Sequence, residues 1–108
     1  NLDEITLLEL FSWSEDFFLE SLQGSPIRRI GFQSWQRNIA VALGNAPFDA
    51  NIVSALKQKK ITASTMVAEH IDWALYQQDE RKIEQKNATA RLNARLIRSI
   101  EKGLPRDA

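Results

Sequence analysis

The sequence predicts an all-α fold built from antiparallel helical repeats, about five to six helices in all. Three observations carry this. Apolar residues recur at helical spacing along nearly the whole chain. Val and Ile nowhere alternate with polar residues over a useful length, and four glycines and three prolines are too few to punctuate an all-β fold. Third, RNIAVALGN at 37–45 aligns with EHIDWALYQ at 69–77 at an offset of 32, matching at Ile39/Ile71, Ala42/Ala74 and Leu43/Leu75. A period near thirty with two helices per unit predicts an α-solenoid of the HEAT-like or armadillo kind.

The elements follow in order. A first helix is predicted over about residues 3–12, with Leu7, Leu8, Leu10 and Phe11 facing inward. Ser14 is the N-cap of a second, SEDFFLESLQ, whose Phe17, Phe18, Leu19 and Leu22 are apolar and which Gly24 ends. Ser25-Pro26 restarts the chain as N-cap and first helical residue, and this third helix runs to the stop at Gly44-Asn45. Inside it, Gly31 either splits the segment in two or lets another backbone approach closely. Asp49 caps a fourth helix, ANIVSALKQKK, with Ile52, Val53 and Leu56 at helical spacing. Its last turn holds Lys57, Lys59 and Lys60, which suits the negative end of the helix dipole. Ser64 or Thr65 caps a fifth, TMVAEHIDWALYQQ. A last helix is predicted from about Glu80 to Lys102, stopped by Gly103-Leu104-Pro105. Trp13, Trp35 and Trp73 fall at apolar positions of three helices and are read as core, since burying an indole is a large gain in so small a domain.

A chain of 108 residues, 44% apolar and 26% charged, supports one modest hydrophobic core. With no cysteine, it has no means of making disulfides, ligating iron–sulfur clusters or holding thiolate zinc. Its longest apolar run, Ile39 to Leu43, is too short to span a membrane. The acidic first residues do not fit a signal peptide, and a start at Asn1 leads us to expect a fragment of something longer. The zero net charge hides a gradient. Residues 1–24 hold six acids and no base, whereas residues 86–106 hold six bases against the single acid Glu101. Such asymmetry points to a polyanion-binding end, or simply to solvated helix faces.

Little else reads as chemistry. Asp3-Glu4, Glu15-Asp16 and Asp79-Glu80 sit at predicted helix starts, where carboxylates complement the dipole. His70, the one histidine, lacks the second ligand of a zinc motif and any neighbouring nucleophile, so it is read as making an inter-repeat hydrogen bond. The basic residues are more informative. Arg91, Arg95, Arg98 and Lys102 fall in one narrow stripe of the last helix, opposite Leu92, Leu96, Ile97 and Ile100. That stripe fits a solvated outer face or a ridge tracking phosphates. Arg28 and Arg29 are placed in the first turn of their helix, against the local dipole, an arrangement poor for stability and good for an anion. With Arg37 they form the preferred phosphate-contacting set.

GSPIRRIGFQSWQRNIAVALGNA, followed by MVAEHIDWAL, resembles the C-terminal region of the epoxyqueuosine reductase family. LLELFSWSEDFFLESLQGSPIRR resembles the segment joining that family's iron–sulfur domain to its HEAT-like tail. The specific resemblance covers roughly residues 5–78, and residues 79–108 share only general character. It implies a parent enzyme that uses [4Fe-4S] clusters and cobalamin to remove the epoxide oxygen from a modified wobble base in tRNA. Residues 1–24 would then be a helical linker from an iron–sulfur domain, 25–78 two HEAT-like repeats, and 79–108 a basic C-terminal helix and tail. The family's cysteine motifs and cobalamin domain are missing from this chain, so it would hold no cofactor and be inactive alone. Its implied role is to grip the tRNA anticodon stem-loop and cover the parent's catalytic domain, in the cytoplasm, as a monomer when isolated. On the matching motif Arg28, Arg29, Arg37 and Asn38 become the phosphate-contact candidates. Arg91, Arg95, Arg98 and Lys102 rest on spacing alone. The competing expectation is a protein-binding scaffold, in which Arg37 pairs with an acid such as Asp72.

Overall fold

The computed structural model describes residues 4–103, with side chains from Thr6 to Ile100. Among them are five α-helices and one short 3-10 helix, and no strand. In chain order these are α1 (Glu4–Phe11), α2 (Glu15–Ser21), the 3-10 helix Pro26–Ile30, α3 (Phe32–Asn45), α4 (Ala50–Lys60) and α5 (Thr65–Gly103). The all-α expectation holds, and the arrangement is compatible with HEAT-like stacking.

Short polar residues start the helices where the sequence placed them. The Ser14 hydroxyl accepts from the Phe17 N–H at 3.2 Å, and the Asp49 carboxylate from the Asn51 N–H at 2.7 Å. Ser64, rather than Thr65, caps α5, accepting from the Val67 N–H at 3.3 Å. Each cap contributes about 1 kcal/mol by satisfying an amide that the helix leaves without a partner.

The core gathers around α3. Phe11, Phe18, Trp35, Ile39, Ala40, Leu43, Ile52, Leu56, Val67, Ile71 and Ala74 form one buried cluster. Aromatic rings join the N-terminal helices to it: Phe18 and Trp35 lie 4.8 Å apart between centroids, Trp13 and Trp35 5.3 Å, and Phe18 and Phe32 5.6 Å in an edge-on arrangement. Such pairs add roughly 0.5–1.5 kcal/mol each beyond the area they bury. The Lys59 ammonium, at the end of α4, donates to the Trp13 carbonyl at 3.3 Å and so ties α4 to the α1–α2 connection.

α4 runs antiparallel to α5, because Lys60 faces Asp72 near one end while Lys82 lies over Phe48 at the other. α3 and α5 instead run in the same direction: Val41 neighbours Glu69, His70 and Trp73, and further along both helices Leu43 and Ala46 meet Gln78. These are the helices carrying the sequence match at an offset of 32, so the two matching stretches pack on each other. Gly44 is what permits their approach. A Cβ at that position would lie 2.8 Å from Trp73 Cζ3, 2.9 Å from Ala74 Cα and 3.0 Å from Ala74 Cβ. The fully buried Gln78 then bridges three elements. Its Nε2 donates to the carbonyls of Leu43 at 2.9 Å and Ala46 at 3.0 Å, while its Oε1 accepts from the Asp49 N–H at 3.1 Å. Arg81 Nε adds a bond to the Gly44 carbonyl at 3.1 Å. The carbonyls left over at the end of α3 are thus satisfied by side chains of α5.

The two helices expected at 65–78 and 80–102 are one unbroken helix of 39 residues. Nothing between Thr65 and Lys102 is a glycine or proline, and Asp79-Glu80, read as a helix start, is equally at home in an interior rich in Gln, Glu, Lys and Arg. Beyond Arg81 the described side chains of α5 are all exposed, and the molecule is drawn out to 74 × 26 × 17 Å.

Helix propensity alone would make Gly44→Ala stabilising by about 1 kcal/mol. The contact with the Ala74 backbone reverses the sign: we expect a net loss on the order of 1–2 kcal/mol in urea unfolding, and a stabilised variant would show that α3 and α5 do not approach this closely. Gln78→Ala strands the Ala46 carbonyl and the Asp49 N–H, while the Leu43 carbonyl keeps the Ala46 N–H, and it is expected to cost roughly 2–4 kcal/mol in the same measurement, at an unchanged m-value.

Candidate nucleic-acid interface

Ser25, Pro26 and Gly31 decide how the first arginine pair is displayed. The Ser25 hydroxyl accepts from the Ile27 N–H at 3.3 Å and starts the 3-10 helix, with Pro26 at its first turn. Gly31, at φ 89° and ψ 154°, ends it and begins α3 in a conformation that side chains with a Cβ rarely adopt. Of the two roles open to Gly31, splitting the segment is the one observed: a Cβ there would meet nothing within 4 Å. The close backbone approach occurs at Gly44 instead.

This corrects the placement of Arg28 and Arg29. They occupy the last turn of a five-residue 3-10 helix, not the first turn of a long α-helix. They therefore face no opposing dipole, and the anion-binding helix start expected of them is not formed. Both are exposed and, with Leu19, Gly24, Ser25 and Pro26, line a surface hollow of about 510 Å³. Arg28 also borders a second hollow, of about 330 Å³, that includes Asp16 and Glu20. Among the described residues the one ion pair is Lys60–Asp72, so neither arginine is consumed by a carboxylate.

Arg37 and Asn38 lie on α3, where the Asn38 Oδ1 accepts from Arg37 Nε at 3.3 Å and Nη2 at 3.2 Å. Asn38 is exposed and Arg37 half-buried. Arg37 does not pair with Asp72, the arrangement the scaffold expectation called for, because Lys60 holds that carboxylate at 2.6 Å. No hydrogen bond or ion pair among the described residues joins the Arg28–Arg29 pair to Arg37–Asn38. Arg91, Arg95 and Arg98 are exposed along the free part of α5, and the side chain of Lys102 lies outside the described residues. Opposite this stripe Leu92, Leu96, Ile97 and Ile100 are also exposed, each by half or more.

His70 bonds within its own helix, not between repeats: its Nδ1 donates to the Met66 carbonyl at 2.8 Å. Because a carbonyl only accepts, that bond fixes the proton on Nδ1 and leaves Nε2 of the neutral ring as an acceptor.

Proteins named epoxyqueuosine reductase match this chain over nearly all of its length. The one from Shewanella oneidensis is 57% identical over an alignment of 109 residues that covers 99% of this chain and 27% of the relative. That of Vibrio cholerae is 50% identical over 108 residues, covering 100% of this chain and 28% of the relative. That of Escherichia coli is 52% identical over 107 residues, covering 94% and 27%. The chain is homologous to one segment of epoxyqueuosine reductase. It spans only about a quarter of the length of these relatives. The match to the Vibrio cholerae relative covers the whole chain, so it extends past residue 78 into the basic end. No family model matches the chain, and no solved structure matches it.

The sequence reading missed one surface feature of the chain. Trp73 is not core: it is 39% exposed, about 120° round α5 from the centre of the buried stripe Val67–Ile71–Ala74–Gln78. With Val41, Glu69 and His70 it lines a hollow of about 390 Å³. The signal was present in the spacing, since Glu69, Trp73 and Tyr76 share a helix face, but only the packing of α3 shows which face is turned outward.

Of the lysines at the end of α4, Lys60 is paired and Lys59 is turned inward. Burial lowers the pKa of Lys59 below its ordinary 10.5. Since the unfolded chain then holds that proton more tightly than the fold does, the burial penalty is complete below the lowered pKa and relieved above 10.5. The stability of the wild type relative to Lys59→Met should therefore rise with pH through that window in urea titrations at alkaline pH, and a flat difference would contradict the burial.

Proposed function

We propose that this chain is a non-catalytic, HEAT-like segment of an epoxyqueuosine reductase that grips the anticodon arm of tRNA through phosphate contacts. The observation that carries this reading is the unpaired exposure of Arg28 and Arg29 on one hollow, in a chain homologous to that enzyme along its whole length. Arg37 and Asn38 add a second contact on α3, and Arg91, Arg95 and Arg98 a third along α5. Guanidinium groups suit this task, because their planar forks match phosphate oxygens and stay charged. Contacts of this kind position a backbone without reading its sequence, so recognition of the modified base falls to other parts of the enzyme.

The reductase chemistry, and the [4Fe-4S] clusters and cobalamin implied for the parent, also belong to those other parts. The residues present do not fit the iron–sulfur clusters: the sequence has no cysteine, and the described residues include no cluster of three or more His, Cys, Asp or Glu able to hold a metal. No described helix is long and apolar enough to cross a membrane. A cytoplasmic, tRNA-facing role is consistent with that. A second reading, a scaffold packing on the catalytic domain, is favoured by one observation, the exposed Leu92, Leu96, Ile97 and Ile100 of α5.

The test is titration of the chain with an unmodified anticodon stem-loop over a range of salt. Binding should weaken linearly on a log–log plot, and the double variant Arg28→Ala/Arg29→Ala should lower the slope by roughly 1.5 while weakening all stem-loop sequences alike. Binding that ignores both substitutions would remove these two arginines from the interface and leave the grip to the other contacts, whereas binding that is absent even at low salt would leave the scaffold reading.

A further inference from the structure

We infer that the hollow formed by Val41, Glu69, His70 and Trp73 is a seat for one unstacked nucleobase with a hydrogen-donating edge, guanine being the best fit. This deepens the proposed RNA-gripping role and rests on it, but it concerns a different set of residues. Trp73 is the platform. Its benzo edge is packed at van der Waals range on Gly44, so the indole is fixed in place before anything binds, yet 39% of the residue remains open. An indole held at one edge and bare elsewhere provides what stacking needs, a rigid π-surface with little rotamer freedom left to lose. Tyr76, one turn further along the same face of α5 and 61% exposed, offers a ring for a neighbouring base.

The polar groups around the indole are acceptors. Glu69, one turn before Trp73, supplies two carboxylate oxygens, and its charge disfavours a phosphate in the hollow itself. In the neutral ring His70 Nε2 is an acceptor, because Nδ1 carries the proton donated to the Met66 carbonyl. An acceptor-lined hollow selects bases that present donors. The adjacent N1–H and N2–H groups of guanine match a carboxylate in the bidentate manner, whereas uracil presents a single N3–H between two carbonyls. Arg37 stands one turn before Val41 on α3, about 6 Å along the helix axis, where the phosphate of a nucleotide seated in the hollow would come to lie. The base is therefore held by α5 and its phosphate by α3.

The experiment is an NMR titration of the chain with GMP, UMP and ribose 5-phosphate, following the Trp73 indole N–H, identified as the resonance lost in Trp73→Phe. GMP should move it saturably, UMP less, and ribose 5-phosphate not at all. In binding assays Trp73→Ala should weaken GMP about tenfold, with Trp73→Phe retaining most of the affinity through its own ring. Glu69→Gln should bring GMP down to the level of UMP, about tenfold. An unmoved indole resonance with GMP, or equal response to ribose 5-phosphate, overturns the base seat. The stem-loop titration separates the two readings: salt-sensitive binding that survives Trp73→Ala and Glu69→Gln unchanged sinks the base seat and leaves the phosphate grip standing, whereas GMP binding without any stem-loop binding does the reverse.

Discussion

The approach of α3 to α5 at Gly44 is the constraint on which the rest of the molecule depends. With no Cβ on Gly44, the backbone of Ala74 comes into direct contact, and a single methyl group there would have to displace main chain and not just a flexible tip. Once the helices are that close, Gln78 and Arg81 reach the carbonyls at the end of α3, and Gln78 also fixes the start of α4 through the Asp49 N–H. One short contact and one buried amide therefore set the positions of three helices. A buried amide is stabilising only when all its groups are matched, and Gln78 is matched by two carbonyls and one amide. Gln36 is the counter-example: its Nε2 is buried without a partner, a cost that the aromatic packing around α3 has to offset.

The same contact determines what the surface can do. Because Gly44 receives the edge of Trp73, the indole is turned along the α3–α5 seam and not into the core, and the face of α5 that carries Glu69, Trp73 and Tyr76 is left open to solvent. Packing and function are joined at one glycine: the residue that allows the helices to meet also supports the ring that stays exposed.

Much of this was legible in the sequence, and the failures have identifiable causes. Ser14, Ser25, Asp49 and Ser64 are local devices, in which a side-chain oxygen answers an amide two or three residues on, so each could be read without knowing the fold. The likeness of 37–45 to 69–77 was legible in their apolar spacing, and it falls on two helices, α3 and α5, that pack on each other. The length of α5 was misread, since Asp79-Glu80 resembles a helix start and no local rule says that a helix will continue past one. Trp73 was misread for a different reason. An indole on an amphipathic helix looks like core until the partner helix is placed, and the side on which α3 packs is a tertiary fact. The setting of Arg28 and Arg29 was misread, because a five-residue 3-10 helix and the first turn of an α-helix share the same Ser-Pro signature.

The charge gradient becomes a spatial one in the folded chain. α1 and α2 meet the far end of α4, where Lys59 bonds the Trp13 carbonyl, while α5 leaves the body past the near end, where Lys82 covers Phe48. The acidic N-terminal helices and the basic extension therefore lie at opposite ends of α4. For a polyanion this gives the two arginine sets different reach. No acid lies between residues 85 and 100, so the attraction of Arg91 and Arg95 extends to about a Debye length, ~8 Å at physiological salt, while Glu101 follows one turn after Arg98. Arg28 shares a hollow with Asp16 and Glu20, which cancel its field at a distance. Its contacts can only be short-range, and they can only form once an RNA has been brought close. In the RNA-gripping reading, then, the extension governs how fast the partner arrives, and the Arg28–Arg29 hollow governs how it is seated.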